Sequence, residues 1–485
     1  MIQELVRAVE PGASIEVDIL IVGAGPAGIT LALELQGAGY KVLLAEAGGL
    51  DLPFQQAASH YEAESVGLPY PVAASRQRYF GGTSNHWGGW CRPLDPIDLE
   101  ERPWVPHSGW PIGYEELEPW YERAHRILEI PSQVYQAEGQ VPQNWLLPSS
   151  PDETFLNQAF RFSPPTRFGQ AYRGVLAEAR GIQVLVNATV TAIRHENGRV
   201  HSCLVADPEG GERLIRPGRV VLATGGLEVP RMLLHTETAE RAALGNRHDW
   251  VGRCFMEHFG YTPGFVMTRP ELRYGLHRPA ANAPRIHPVL VPAAAIMRAQ
   301  GLMNCFMTLT AVAPDSAFPP EFLQSSGLAR SIQEKPWRYR LTMVNEPRPN
   351  RASRVSLGED VDVFGLRKLR LDWRVDPDDF SSIEKTIHLL SAWLGRTGLG
   401  RFQYTRPISP ETTSQLSGGL HHMGTARMSK DATRGVVDVN CRVHGTENLY
   451  IASSAVFPTA GYANPTLTIV ALSLRLAHHL KGAAS

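Results

Sequence analysis

The chain has 485 residues, which is more than one compact core usually holds, so we expect two domains. Hydrophobic residues make up 43% and charged residues 20%, as in an ordinary globular protein, and the formal net charge is -1. Since no block of like charges is present, the composition argues against a nucleic-acid or anionic-membrane partner. The five scattered cysteines, without a CxxC pair, argue against a metal site, a redox dithiol and a disulfide framework.

The N-terminal stretch "MIQELVRAVEPGASIEVDIL" lacks the basic start and the continuous apolar core of a signal peptide. The best candidate for a membrane span, "LTIVALSLRLAHHL", is too short and carries Arg475. We therefore expect a cytoplasmic protein with no membrane span.

The first predicted element is a nucleotide-binding βαβ unit. The apolar run 17–22 predicts a strand, "GAGPAG" a glycine turn, "ITLALELQGAG" a helix and "KVLLAE" a second strand. Gly23 permits the tight turn, Gly25 lets the backbone approach a pyrophosphate, and Gly28 lets the helix pack against the strand. The phosphates are then expected at the helix N-terminus, where free N–H groups favour anions.

An acid ends the second predicted strand. Glu46 lies 46 − 28 = 18 residues after the last glycine, where a carboxylate can accept hydrogen bonds from ribose hydroxyls. A carboxylate at this position disfavours a ribose 2′-phosphate and hence NADP. With Pro26 and Ala27 in the turn, these residues form the first part of the predicted cofactor site, although the fingerprint alone does not separate NAD from FAD.

Five further blocks follow in chain order. They read "YFGGTSNHWGGWCRPLD", "VVLATGGLEVPRMLL", "VGRCFMEH", "NEPRPNRASRVSLGEDVDVFGLRKLRLDW" and a C-terminal stretch containing "HHMGTARM", "NLYIASSAVFPT" and "GYANPTLTIV". Taken in order, they resemble the glucose–methanol–choline (GMC) oxidoreductase family of FAD enzymes, over nearly the whole chain except roughly residues 265–335. The "SNHW" and "ANPT" blocks resemble most the branch that contains pyranose oxidases and bacterial sugar or polyol dehydrogenases.

The resemblance implies FAD and an α/β fold, α+β overall. It implies a discontinuous Rossmann-like FAD-binding domain, which we assign to residues 1–90, 170–255 and 407–485. A substrate domain on an antiparallel sheet is expected at residues 256–406, where runs such as "FMTLTAV" and "RYRLTMV" are rich in β-formers. Residues 91–169 are assigned to a connecting or lid region.

The second glycine loop is "GGTSNHW". Gly81 and Gly82 allow the backbone to press on a flat ligand, and Ser84 and Asn85 can supply hydrogen bonds. His86 occupies the position that is bonded to the flavin 8α carbon in several family members, which would raise the reduction potential of the flavin. We favour a covalent link here; the alternative is a histidine that packs against the flavin without reacting.

Four other residues are expected at FAD by the same resemblance. Val190 belongs to a strand segment that lies near the adenine in the family, and the turn at Thr224 and Gly225 closes on the nucleotide. Relatives usually carry an acid in "NLYVADGSVFPT", whereas this chain has Ser453 at that position. A serine can still donate a hydrogen bond, so FAD binding is expected to survive this departure.

The catalytic base is expected in "HHMGT". Oxidation of an alcohol needs a base for the hydroxyl proton, and imidazole suits the task. In the family the base stands three residues before the glycine of the Gly-Thr pair, which gives His421 when counted from Gly424. If "LHHM" is extended, neighbouring side chains point to opposite faces, so His422 is expected to support or pack.

The partner of the base is expected in "GYANPT". Pro465 fits the first turn of a helix and Asn464 its N-cap, so a capping role for Asn464 is the simple alternative. The resemblance instead places the Asn464 amide beside the catalytic histidine, where it holds the substrate oxygen. Pro465 and Thr466, at the helix N-terminus, would then face the pyrimidine edge of the flavin and stabilise negative charge.

These patterns predict an FAD-dependent oxidation of a CH–OH group to a carbonyl, by hydride transfer to flavin N5. A sugar, cyclitol or glycoside hydroxyl is the expected substrate; the sequence leaves open whether O2, a quinone, a cytochrome or a dye accepts the electrons. The alternatives are a non-redox lyase that retains FAD and an oxidase of aryl or aliphatic alcohols. A flavin disulfide reductase is disfavoured because the chain has neither a redox CxxC or CxxxxC pair nor a second GxGxxG.

Overall fold

The computed structural model describes residues 1–52, 62–148, 153–238, 242–278, 284–312, 337–405, 407–409, 413 and 416–482. The strands are β1 (Ile2–Glu4), β2 (Ser14–Val22), β3 (Val42–Ala45), β4 (Ala63–Gly67), β5 (Trp90–Cys91), β6 (Phe155–Phe162), β7 (Ile182–Val186), β8 (Thr189–Glu196), β9 (Arg199–Ala206), β10 (Glu212–Leu222), β11 (Phe259–Thr268), β12 (Ile286–Pro292), β13 (Cys305–Ala311), β14 (Trp337–Asn345), β15 (Arg354–Val361), β16 (Arg367–Trp373), β17 (Gly400–Tyr404), β18 (Ser417–Gly418) and β19 (Leu449–Ile451). The α-helices are Leu5–Ala8, Pro26–Leu35, Pro96–Leu99, Tyr114–Ile127, Phe168–Ala171, Arg173–Glu178, Gly225–Leu234, Ala294–Gln300, Pro377–Arg396 and Thr466–Gly482.

The first large sheet has the order β1-β7-β3-β2-β10-β9-β8, with β19 paired to β10. β1, β7, β3, β2, β10 and β19 pair in parallel, whereas β8 and β9 pair antiparallel at one edge. The centre of this sheet is covered on both faces, which explains why the run from Ile19 to Val22 is continuously apolar and buried. Helix Pro26–Leu35 follows β2 directly and packs against helix Thr466–Gly482, so the two ends of the chain meet beside this sheet.

The second large sheet is antiparallel throughout, in the order β17-β11-β14-β13-β12-β6-β5, with β18 paired to β11. Helix Pro377–Arg396 shares a hydrophobic core with it, in which Trp393 is fully buried. A smaller sheet joins β15, β16 and β4. A parallel nucleotide-type sheet beside an antiparallel one confirms the predicted fold class, while the proposed domain boundaries stay a prediction.

An isolated antiparallel bridge joins Met256 to Met423. Each methionine N–H donates to the carbonyl of the other at 3.0 Å. The bridge joins the block "VGRCFMEH", just before β11, to the block "HHMGT". It therefore connects the start of β11, in the antiparallel sheet, to the segment that carries the predicted base.

Candidate active site

A cavity of about 520 Å³ lies at the carboxyl ends of the parallel strands β2, β3, β10 and β19. In open α/β sheets this edge is where ligands bind, and the volume is typical of a cofactor site. Most predicted site residues line it: Gly23, Gly25, Pro26, Ala27, Glu46, Gly82, Ser84, His86, Val190, Thr224, Gly225, His421, Ser453, Asn464, Pro465 and Thr466. Three do not, namely Gly28, Gly81 and Asn85.

The first wall of the cavity is the glycine turn before helix Pro26–Leu35. Gly23 has φ 101°, and a Cβ on Gly28 would lie 1.9 Å from the Gly23 carbonyl oxygen, so the close packing of turn and helix needs glycine at both positions. A Cβ on Gly82 would lie 3.3 Å from the Cα of Gly25, which brings the second glycine loop against the first. The cleft between them, at a helix N-terminus, fits a dinucleotide pyrophosphate.

The carboxylate of Glu46 holds the same turn through hydrogen bonds to backbone N–H groups. Its Oε2 accepts from the Ala24 N–H at 2.8 Å and its Oε1 from the Gly48 N–H at 2.9 Å. Burial raises the pKa of the carboxyl, and these backbone hydrogen bonds oppose the shift. Each carboxylate oxygen has a further lone pair for a ribose hydroxyl, so the expected ribose contact stays a prediction beside the structural role.

The second glycine loop differs from expectation at Asn85. Its Nδ2 donates to the Phe80 carbonyl at 2.8 Å and its Oδ1 accepts from the Gly169 N–H at 3.1 Å, so both amide atoms hold the loop instead of facing the cavity. A Cβ on Gly81, which has φ 95°, would lie 2.3 Å from the Gly169 nitrogen. Gly81 and Asn85 therefore shape the loop, whereas we had expected them at the flavin.

Ser84 and His86 do border the cavity. Ser84 Oγ donates to the Gly81 carbonyl at 2.6 Å, which leaves its lone pairs for a ligand donor. The His86 side chain is exposed to the cavity, and its Nε2 lies 2.7 Å from the Tyr79 hydroxyl. The imidazole is thus held by one nitrogen at the position where a covalent flavin link is predicted.

The Met256–Met423 bridge lies at the end of the cavity where the base is predicted. In an antiparallel register, the residue two after Met256 lies opposite the residue two before Met423, which pairs His258 with His421. Their Nδ1 atoms lie 2.9 Å apart, and the two rings meet edge to face. The Nε2 of His258 lies 2.8 Å from the Gly461 carbonyl oxygen.

These two contacts assign the protons. A carbonyl oxygen can only accept, so His258 carries its proton on Nε2 and, when neutral, a lone pair on Nδ1. His421 must then donate from Nδ1, which leaves the lone pair of His421 on Nε2. Burial lowers the pKa of His258 to about 4 and that of His421 well below its usual value near 6.5, so both rings are neutral at pH 7. His421 is therefore held in the tautomer of a base.

Glu257 fixes the backbone at the same place. Its carboxylate, completely buried, accepts from the N–H groups of Gly419 and His421 at 2.9–3.1 Å and from the Tyr70 hydroxyl at 2.5 Å. Burial raises the pKa of Glu257 to about 8, and these donated hydrogen bonds work against that shift. Leu420 between them has φ 61°, a left-handed conformation that costs a leucine free energy and that the flanking bonds hold in place.

His422 also lines the cavity, so contact with the cavity does not by itself separate the two histidines. Its ring packs edge to face on Tyr70 with centroids 5.7 Å apart, and burial followed by the charge of Arg76 lowers its pKa to about 3. Its Nε2 is buried without a hydrogen-bond partner among the described residues. An orphaned nitrogen in the wall of a cavity is available to a bound group.

Asn464 sits one residue further from its helix than expected. Helix Thr466–Gly482 begins after Pro465, whose carbonyl accepts the first helical hydrogen bond from the Ile469 N–H at 2.8 Å. Pro465 therefore takes the capping position that the simple alternative gives to Asn464. Asn464 is half-buried and lines the cavity together with His421, while Ser453, across from it, caps a short 3-10 turn by accepting from the Ala455 N–H at 3.1 Å.

Two family models match the chain. A model described as GMC oxidoreductase matches residues 349–473, and one described as FAD dependent oxidoreductase matches residues 18–243. The chain belongs to the GMC oxidoreductase family. It is an FAD-dependent oxidoreductase that acts on CH–OH groups.

Relatives of this GMC protein include both dehydrogenases and oxidases. It is 23% identical to the 2-methyl-1,2-propanediol dehydrogenase of Mycolicibacterium austroafricanum, over 96% of this chain and 95% of that one. It is 25% identical to the C-glycoside 3-oxidase of Microbacterium trichothecenolyticum, over 87% and 78% of the two chains. Among solved structures, pyridoxine 4-oxidase from Mesorbium loti shares the fold, with a TM-score of 0.54 at 16% identity over 95% of this chain and 98% of that one.

The cavity of this GMC protein fits FAD: glycine-lined at the phosphate end, open beside His86, and bordered by His421, His422 and Asn464 at the other end. No group of three or more histidine, cysteine or acidic side chains among the described residues could hold a metal ion. In the same part of the chain, no helix has the length and apolar character of a membrane span.

Sequence reasoning missed the residues that hold the base. His258 and Glu257 lie 163 and 164 residues before His421 in the block "VGRCFMEH", and Tyr70 is further away still. The one available sign was a histidine directly after an acid and directly before an apolar strand. Without the register of the Met256–Met423 bridge, that pattern does not say which residue it faces.

Proposed function

We propose that this protein oxidises a polyhydroxylated alcohol with His421 as the base and Asn464 as the group that holds the substrate oxygen. The observation that carries the proposal is the chain of contacts from the Gly461 carbonyl through His258 to His421. It leaves the lone pair of His421 on Nε2, in a residue that borders the cavity with Asn464. A histidine that only packed in a core would need no such orientation.

His421 acts by taking the hydroxyl proton at Nε2. The ring then carries a positive charge, with its Nδ1–H still donated to the neutral Nδ1 of His258. The lowered pKa of His421 keeps it free of a proton before substrate arrives. FAD held in the cavity between the two glycine loops would supply the acceptor for the hydride of the carbinol carbon.

Asn464 supplies the second function. Its amide N–H group can donate to the substrate oxygen as negative charge develops on it, which is the role of a preorganised donor in a site shielded from water. The N-terminus of helix Thr466–Gly482 lies directly after it and adds a partial positive charge at the same end of the cavity.

For the substrate, we propose a sugar, cyclitol or glycoside hydroxyl. The relatives named for a diol and for a C-glycoside support a polyhydroxylated molecule. The resemblance of the "SNHW" and "ANPT" blocks supports a place near the pyranose oxidase branch. The electron acceptor is either O2 or a quinone, cytochrome or dye, because one of these relatives is named a dehydrogenase and the other an oxidase.

The substrate test is anaerobic bleaching of the enzyme-bound flavin by a panel of sugars, cyclitols, glycosides, aryl alcohols and sterols. Bleaching by a sugar or glycoside supports the proposal, and bleaching only by aryl alcohols or sterols replaces the substrate class. If no alcohol bleaches the flavin, the lyase alternative takes over. Admitting O2 to the bleached enzyme then separates an oxidase, which recovers its colour, from a dehydrogenase.

We also propose a covalent bond between His86 and the flavin. The side chain borders the cavity with its Nε2 next to the Tyr79 hydroxyl, which fixes the ring. Acid precipitation tests the link, since a yellow pellet from wild type and a colourless one from His86→Ala are expected. A colourless wild-type pellet overturns it.

We place the protein in the cytoplasm. The five cysteines, all buried and free of disulfides, are consistent with a reducing compartment. Fractionation of cells that express the untagged chain tests this assignment, and recovery outside the cytoplasm would refute it.

A further inference from the structure

A buried ion pair lies next to the loop of residues 461–464, which carries Asn464, and it does not line the cavity. The side chains of Arg102 and Glu346 are both 0% exposed, and the guanidinium meets the carboxylate through two hydrogen bonds of 2.8 and 2.6 Å. Neither residue lines the cavity. A buried ion pair of this kind is often no more stabilising than apolar side chains of similar volume, so its presence calls for a reason other than stability.

Glu346 also accepts a hydrogen bond from the loop of residues 461–464. Its Oε1 accepts from the Gly461 N–H at 3.0 Å. Gly461 has φ 55°, and a Cβ there would lie 2.5 Å from Asp98 Oδ2, so the position requires glycine. Since glycine is intrinsically free to move, an external acceptor is needed to hold its peptide in one orientation.

The same glycine directs both catalytic side chains. Its carbonyl accepts from His258 Nε2 at 2.8 Å, and this contact assigns the tautomer of His258 and, through it, of His421. Gly461 also stands three residues before Asn464 in one loop. The orientation of Gly461 therefore affects His421, the proposed base, through two hydrogen bonds. It affects Asn464 through the backbone of the loop that they share.

We propose that Glu346 is a positioning residue that orients both His421 and Asn464 by holding Gly461. The inference rests on the proposed function, because it assigns Glu346 to the reaction through His258 and His421. Arg102 orients the Glu346 carboxylate through two hydrogen bonds, so that its Oε1 presents an acceptor to the Gly461 N–H. A carboxylate in this place accepts but never donates, which excludes the orientation of the peptide before Gly461 in which the Ala460 carbonyl would face Glu346.

The test separates the acceptor from the charge. The variant R102M/E346Q removes both charges but keeps an amide oxygen that can accept from Gly461. The variant R102M/E346L removes the acceptor as well. We expect R102M/E346Q, which keeps an acceptor, to reduce its flavin with alcohol clearly faster than R102M/E346L. The Leu variant should lose about 10²-fold relative to wild type with little change in KM, within the range of a lost general base.

A double-mutant cycle with His258→Ala then tests the route. If Glu346 acts through His258, adding E346L to a chain that already lacks His258 costs far less than it does in the wild type. A merely structural ion pair gives losses that multiply independently. Glu346→Asp gives a second measurement in case the leucine variant does not fold, because it keeps the charge but is one methylene shorter. We expect Glu346→Asp to slow flavin reduction. In the His258→Ala background the same substitution should slow it less.

The ion pair between Arg213 and Asp207 is the matched control for the loss of a buried ion pair. Its side chains are 0% and 3% exposed, and neither residue lines the cavity. R213M/D207L should lower the Tm without changing the rate of flavin reduction. Equal rates for the Gln and Leu variants, or losses that are additive with His258→Ala, overturn the inference while leaving the proposed function intact. If no alcohol bleaches the wild-type flavin, the proposed function fails first and this inference with it.

Discussion

His421 and His422 are adjacent, border the same cavity and are both held neutral by burial, yet they are bonded in different ways. His421 is fixed through its ring by His258 and through its backbone by Glu257. The ring of His422 is only packed, with Nε2 left free among the described residues. Both rings border the site, but the ring of His421 has a partner that fixes its tautomer, and this favours His421 over His422 as the base.

The largest effect should separate these two histidines. His421→Ala is expected to lower the rate of flavin reduction by alcohol about 10²- to 10⁴-fold, because a positioned general base is lost. His422→Ala should lose far less, since its ring makes no hydrogen bond that assigns a proton. Stopped-flow reduction without oxygen measures both, with FAD content as the control, and a larger loss in His422→Ala would reverse the assignment.

The next largest effect on the rate is expected at Asn464, the residue proposed to hold the substrate oxygen, which lines the same cavity as His421 and His422. Asn464→Ala should slow flavin reduction about 10²-fold by removing one donor to the developing oxyanion. Asn464→Asp is the matched variant, since it keeps the size and has no N–H to donate, so it should be at least as slow. A fast Asn464→Asp enzyme would show that the residue does not hold the oxygen.

The pH profile sharpens the comparison further. A histidine whose pKa is lowered stays neutral as the pH falls past its usual value, so kcat/KM should be flat from pH 7 through pH 6.5. The acid limb is expected near the pKa of His258, about 4, because protonated His258 can no longer accept from His421. His422→Ala should leave that limb in place. An acid limb centred near 6.5 would mean that His421 is not buried and held as described.

The smallest effect on the rate is expected from Tyr70, which bonds to the Glu257 carboxylate that holds the backbone of His421. Tyr70→Phe removes one hydrogen bond to Glu257 while leaving the N–H groups of Gly419 and His421 bonded to it. At pH 9, above the raised pKa of Glu257, we expect a loss of about 1.5–3 kcal/mol in the free energy of unfolding, the usual worth of a hydrogen bond to a charged group. Chemical denaturation measures it, and flavin reduction should slow much less than in His421→Ala. A collapse in rate at unchanged stability would place Tyr70 in the chemistry itself.

The phosphate end of the cavity could be predicted from the sequence because its determinants are local. The turn, the helix and the acid at Glu46 fall within 24 residues of Gly23, and their order alone implies a βαβ unit (46 − 23 + 1 = 24). Gly28 packs against Gly23 as the fingerprint predicts. Asn85 bonds to backbone instead of lining the cavity, because a short polar side chain in a tight loop bonds to nearby backbone as readily as to a ligand.

The catalytic end could be predicted only in part. The resemblance to the family points to His421 through its offset from the Gly-Thr pair, and that offset is again local in the sequence. Its orientation depends on His258, Gly461 and Glu346, which come from three separate stretches and meet only through strand register and a loop conformation. No spacing in one sequence contains that information.

The pairing of β19 with the end of β10 has a consequence for how the chain is made. Residues Val220–Leu222 pair with Leu449–Ile451, so 449 − 222 = 227 residues must be translated before this edge is covered. At about 5–20 residues per second, the nascent chain exposes an apolar strand edge for roughly 10 to 45 seconds. An unpaired edge of this kind invites pairing with other chains. Expression at slower translation rates should therefore increase the aggregated fraction unless a chaperone covers β10.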